Sequence, residues 1–203
     1  DSLCNVRTIV PGAGGMSSAS SQFNQPRGLL IANDNLYVAD SGNRRIQVLR
    51  LPSLELRAVW EGFFQEPVAL ASDSKGHIYV LDTGLNAILR FSPAGVPDAV
   101  YTADLAQILS GLTLVSLAID GKDNLYVTYV VDAGKNEIAL VNFADQKLEV
   151  LQGATVPQHP NVMAARGNWL YAADSTTDEI WVVDCDARTF NGSLNDYRGP
   201  VTA

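Results

Sequence analysis

The chain has 203 residues, 47% of them apolar and 18% charged, with a formal net charge of −8. That composition supports a folded core and argues against disorder, and an acidic chain with scattered Lys and Arg offers no basic face for nucleic acid. No uninterrupted apolar run of about 18 residues is present, so no membrane-spanning helix is expected.

In chain order, "CNVRTIVPG" (4–12) has nothing to pair with locally and reads as a lone outer strand. Residues 28–51, "GLLIANDNLYVADSGNRRIQVLRL", then open a pattern that recurs at 69–91, 116–143 and 162–184. Its anchor tyrosines are Tyr37, Tyr79, Tyr126 and Tyr171, at intervals of 42, 47 and 45 residues. In each copy an apolar first strand ends in a turn of Asn, Asp, Gly or Lys. A second strand follows with the tyrosine at its centre, then a turn and an alternating third strand such as "RIQVL" or "EIWVVD". A fourth strand is legible as "ELRAVW" in the first copy and "KLEVLQ" in the third, and residues 103–111 come nearest to helical periodicity.

A period in the forties built from short strands is the signature of propeller blades, because a lone four-stranded sheet cannot cover its own two apolar faces. We therefore expect an all-β, single-domain β-propeller with blades at about 23–62, 64–103, 112–153 and 157–187. The last copy shows only three clear strands, so residues 4–10 are expected to complete it, with 188–203 as a tail. That arrangement would set Cys4 beside Cys185 within disulfide reach, a bridge worth about 3–5 kcal/mol. The cysteine pair, the start at Asp1 and the sequon at Asn191 together suggest a processed, extracytoplasmic or secreted chain, or an excised piece of one. A competing reading takes "YRGPVTA" (197–203), an echo of "PRGLLIA" (26–32), as the start of a further blade in a larger ring.

"FNQPRGLLIANDNLYVADSGNRRIQVL" (23–49) resembles an NHL repeat, with its Pro-x-Gly opening, "LYVAD" and "SGNxRI" pattern. The second copy keeps Asp82-Thr83-Gly84 where the first has Asp40-Ser41-Gly42. The third is read with Asp132-Ala133-Gly134 after an insertion, and the fourth keeps Asp174 without the glycine. The resemblance covers about residues 5–187 and implies NHL-type four-stranded blades. NHL propellers usually have six blades, so four copies imply a small ring or an incomplete one.

Candidate chemistry is sparse. Asp40, Asp82 and Asp174 could be calcium ligands, but the "DSGN" loop supplies too few oxygens before Arg44 and Arg45. An Asx-type turn with backbone N–H donors fits better, and Asp40 can pair with Arg45. His77 and His159 fall at opposite blade ends and make no zinc site with two cysteines, and no Gly-x-Ser-x-Gly elbow occurs. Asn33, Asn161 and Asp120 lie at inner-strand ends, where turn formation explains them. The four tyrosines are read as blade packing and Trp60 as the tryptophan showing on the surface. The loops from fourth to first strand and from second to third remain, carrying Asn24, Arg27, Arg44, Tyr129, Lys135, His159 and Asp178. Their mixed polarity suits a protein or peptide partner, or assembly with other chains. The expected function is a non-catalytic binding or assembly module with no cofactor; the alternative is a small hydrolase or lyase using calcium.

Overall fold

The computed structural model describes residues 22–132, 135–153 and 156–194. These residues form antiparallel sheets, each built from consecutive segments of chain. Blade one comprises β1 (Pro26–Ala32), β2 (Asn35–Asp40), β3 (Arg45–Arg50) and β4 (Leu56–Glu61). Blade two has three strands, β5 (Pro67–Ser72), β6 (Ile78–Asp82) and β7 (Ala87–Phe91), followed by the helix α1 (Ala99–Ile108). Blade three holds β8 (Thr113–Ile119), β9 (Leu125–Asp132), β10 (Lys135–Asn142) and β11 (Lys147–Val150). Blade four holds β12 (Pro160–Arg166), β13 (Trp169–Asp174), β14 (Glu179–Asp184) and β15 (Thr189–Ser193).

Cross-strand register puts the copies on one plan. Tyr37 faces Val48, Tyr79 faces Arg90, Tyr126 faces Leu140 and Tyr171 faces Val182. Because side chains alternate across a strand, each sheet has a leading face toward the preceding blade and a trailing face toward the next. The trailing face of blade one (Tyr37, Ile46, Val48, Trp60) buries against Ile78, Val80 and Phe91 of blade two. Tyr79, Leu81 and Ile88 of blade two bury against Leu117, Leu125 and Val127 of blade three. Tyr126, Ile138 and Leu140 of blade three bury against Met163, Leu170 and Val183 of blade four. The first strands run side by side along the inner edge, β1 by β5, β5 by β8 and β8 by β12. At the first of these contacts a Cβ on Gly28 would stand 2.7 Å from the Val68 carbonyl oxygen, so only glycine lets the backbones approach.

The sheets correct three expectations. Blade four takes a fourth strand, β15, from the stretch expected to be a tail, while residues 4–10, expected to complete that blade, lie outside the described residues. The Asp184 carboxylate accepts the Asp186 and Ala187 N–H groups at 2.9 and 3.0 Å, turning the chain back, and Phe190 then packs edge-on to Trp181. Blade two has no fourth strand in its sheet: Asp98 caps α1 by accepting the Tyr101 N–H at 3.1 Å. Tyr101 then meets Tyr79 and Phe143, while Leu105 joins the core. Trp60 is buried, not displayed. It stacks on Phe91 and tilts against Tyr37, and the turn at Gly95 closes over its indole. Trp60→Ala should destabilise the fold by about 3–5 kcal/mol, read as a lower urea midpoint at unchanged slope; a shift under about 1 kcal/mol would contradict this packing.

Candidate functional site

The loops from fourth to first strand and from second to third meet at one end of the blades, and an aspartate joins them. In blade one the Asp40 carboxylate, fully buried, accepts the Asn24 N–H at 2.7 Å, the Asn43 amide at 2.9 Å and Arg45 Nε at 2.7 Å. Asp82 accepts the N–H groups of Gln65, Glu66 and Leu85 at 2.7, 2.9 and 2.9 Å. Asp174 accepts Gln158 and His159 at 2.5 and 2.9 Å, and Thr176 and Thr177 at 2.8 and 3.2 Å. Each carboxylate thus clamps the incoming loop to the second-to-third turn, satisfying backbone donors that would otherwise be buried unpaired. The same turn position is left-handed in all three: Arg44, Asn86 and Asp178 have φ of 54°, 50° and 56°.

Blade three breaks the plan. The register position of Asp40 is taken by Tyr129, which faces Glu137 as Asp40 faces Arg45. Tyr129 is buried and donates its hydroxyl to Glu137 Oε2 at 2.9 Å, and burial with this bond pushes its pKa up to about 12. Asp132 does not stand in for Asp40, as the local "DAG" match suggested. It lies exposed three residues further out, where β9 and β10 run on past the clamp position as a longer hairpin. Val130 and Val131 are exposed on it, and Lys135 lies 3.6 Å from Glu137. Its base is tied to blade four, with the Asn136 N–H donating to the Gln158 carbonyl at 2.9 Å and its amide to Asn161 Oδ1 at 3.1 Å. A groove of about 110 Å³ lies alongside, lined by Lys135, Glu137, Leu151, Gln152, Pro157 and Phe190 among others.

The expected rim residues therefore separate into two groups. Asn24, Arg27 and Arg44 sit at blade one: Asn24 is held through its backbone, Arg27 pairs with Glu66 at 3.0 Å, and Arg44 is exposed in its turn. Tyr129, Lys135, His159 and Asp178 sit at blades three and four, with His159 half-buried and Asp178 exposed. Val130, Val131, Asn136, Glu137 and Asn161 were missed as site residues; the lengthened third copy was the signal that could have found them. The first strands of all four blades line a central space of about 390 Å³, with Arg27, Ser116 and Asn161 as its polar groups amid Leu29, Leu117 and Met163. Among the described residues no three His, Cys, Asp or Glu side chains converge as a metal site, and no helix is long and apolar enough to cross a membrane. Cys185 is a buried thiol, which burial pushes up to about 11; Cys4 lies outside the described residues. Asn191 is exposed on β15.

Two outcomes test the clamps. Asp82→Ala should cost about 2–4 kcal/mol, since three backbone donors lose their acceptor, while the exposed Asp178→Asn stays within about 0.5 kcal/mol; chemical denaturation separates them, and equal losses would contradict the assignment. Burial alone would raise the Asp174 carboxyl, but the four N–H donors outweigh it and hold it below its ordinary value. Its stabilisation is therefore present above about pH 4 and lost as pH falls from there. Asp174→Asn should flatten that acid limb of the stability curve, and an unchanged slope would contradict it.

A family model for the NHL repeat matches residues 23–49, the stretch that forms β1 to β3. No curated protein sequence matches the chain significantly. Among solved structures, hydrazine synthase of Kuenenia stuttgartiensis is similar at a TM-score of 0.57 and 12% identity, over 88% of this chain and 52% of that one. A virginiamycin B lyase from Staphylococcus aureus, a catalytically inactive H270A form with quinupristin, gives 0.59 and 14%, over 85% of this chain and 56% of that one. The chain thus spans about half the length of these two structures. The chain thus carries an NHL repeat in its first blade and three further blades in the same register, a β-propeller architecture.

Proposed function

We propose that this chain is a non-catalytic binding module that presents its loop end to a protein or peptide partner. One observation carries the reading: the β9–β10 hairpin outgrows the repeat and holds Val130 and Val131 in solvent. Strand residues that blade packing does not need, and that expose apolar surface, mark a contact site. Lys135, Glu137 and Asn161 surround them with polar groups, the arrangement of an apolar centre and a polar rim. The adjoining groove of about 110 Å³ accepts one side chain, well short of the roughly 300–1,000 Å³ of a small-molecule site. A calcium-dependent hydrolase or lyase would instead need several oxygen donors converging on the central space, whose lining is mainly Leu, Val, Ala and Met.

Panning a phage-displayed peptide library against the chain tests this. Selected peptides should lose about tenfold or more in affinity on Val131→Asp, a loss of about 1.4 kcal/mol. They should keep their affinity on Val96→Asp, an exposed valine at the opposite end of blade two. Equal binding to both variants, or selection of nothing, would overturn the reading. Heat released on calcium titration together with lactone turnover would favour the enzyme instead.

A further inference from the structure

The second-to-third turn of blade two departs from its counterparts in one side chain. Three residues after the clamp aspartate, blade one has Asn43, whose amide donates to Asp40 at 2.9 Å, and blade four has Thr177. Blade two has Leu85 there. The Leu85 N–H donates to Asp82 at 2.9 Å, so the clamp uses only its backbone, and the residue is 38% exposed. Asn86, the next residue, fixes where Leu85 sits. Its amide donates to the Leu112 carbonyl at 2.6 Å and its Oδ1 accepts the Leu114 N–H at 3.0 Å, gripping β8 on either side of Thr113. Thr113 is exposed and is the cross-strand partner of Val130. Leu85, Thr113, Val130 and Val131 therefore form one exposed strip across blades two and three at the loop end.

The charge beside this strip has one sign in excess. Residues 129–137 hold two carboxylates, Asp132 and Glu137, against one cation, Lys135, which lies 3.6 Å from Glu137. Asp132 is exposed and makes no ion pair among the described residues. On the blade-two side Arg27 and Glu66 pair with each other at 3.0 Å.

Resting on the binding reading above, we infer that the contact reaches from the hairpin onto Leu85 and that its occupant is a basic, apolar segment of a partner protein. Two apolar side chains of that segment cover Leu85 and the Val130–Val131 pair, and a Lys or Arg faces Asp132. Exposed apolar surface that the clamp does not use supplies the first requirement. Charge complementarity supplies the second, since an acidic segment would be repelled by Asp132 and by a chain of net charge −8. Because the two Asn86 bonds set the spacing of the strip before any partner arrives, little affinity is lost to ordering it.

Peptides panned from a phage-displayed library against the chain, then synthesised and titrated by fluorescence polarisation, are the probe. They should carry two apolar residues with a Lys or Arg nearby. Leu85→Asp and Asp132→Lys should each weaken their binding about tenfold. Val100→Asp, at a residue 75% exposed on α1, should leave it unchanged. A fresh selection on Asp132→Lys should exchange Lys and Arg for Asp and Glu. Should Leu85→Asp lose its β-sheet circular-dichroism spectrum, Leu85→Asn, which installs the residue type of that position in blade one, repeats the comparison. Peptides that weaken on Val131→Asp but not on Leu85→Asp, or that lack a cation and ignore Asp132→Lys, would overturn this footprint and leave the binding module standing. Selection of nothing, or peptides indifferent to Val131→Asp, would overturn both.

Discussion

A four-stranded sheet with two apolar faces is stable in water only when something covers both, and every other feature here follows from that constraint. Blades two and three satisfy it with their neighbours, and the resulting layers bury Tyr37, Tyr79 and Tyr126 in register. Burial of this kind, at about 25 cal/mol per Å² of apolar surface, is the largest favourable contribution available to such a fold. It has no preferred direction, however. Direction comes from the close first-strand contacts, where Gly28 admits the Val68 backbone, and from the aspartates that hold each incoming loop against the turn beside it.

Those aspartates also explain why sites are scarce. A residue such as Asp40 or Asp82 has the composition of a metal ligand but spends its lone pairs on backbone N–H groups and, in blade one, on Arg45. Chemistry is freed only where the repeat is interrupted. In blade three a Tyr129–Glu137 pair replaces the carboxylate clamp, the two strands continue beyond it, and Val130 and Val131 are carried into solvent. The scaffold and the proposed contact are thus separate parts of one blade.

The blade plan was legible in the sequence because its signals are local. Tyrosines at fixed intervals, alternating third strands and Asn, Asp and Gly turns each report on a few neighbouring residues, and the Asx-type role of Asp40, Asp82 and Asp174 follows from them. What was not legible depends on pairing across strands or on neighbours far along the chain. Asp132 looked like the missing clamp because "DAG" matches "DTG", but register, set by Tyr129 facing Glu137, decides which residue occupies the position. An outer strand borders water, so local sequence places Trp60 at the surface; its cover comes from the Gly95 turn of the next blade and from Phe91. β15 carries little local signal because "TFNGS" holds a single large apolar residue, and the Asp184 turn and Trp181 contact that secure it have no signature of their own.

The separation of scaffold from contact is tested most directly by grafting the short turn of blade two into blade three. Residues 129–137 are replaced by Asp-Thr-Gly-Leu-Asn-Ala, the sequence of 82–87. The account predicts a chain that keeps its β-sheet spectrum and unfolds within a few degrees of the parent, while peptides selected on the parent no longer bind. A grafted chain that binds them as before, or one that cannot fold without the hairpin, would contradict it.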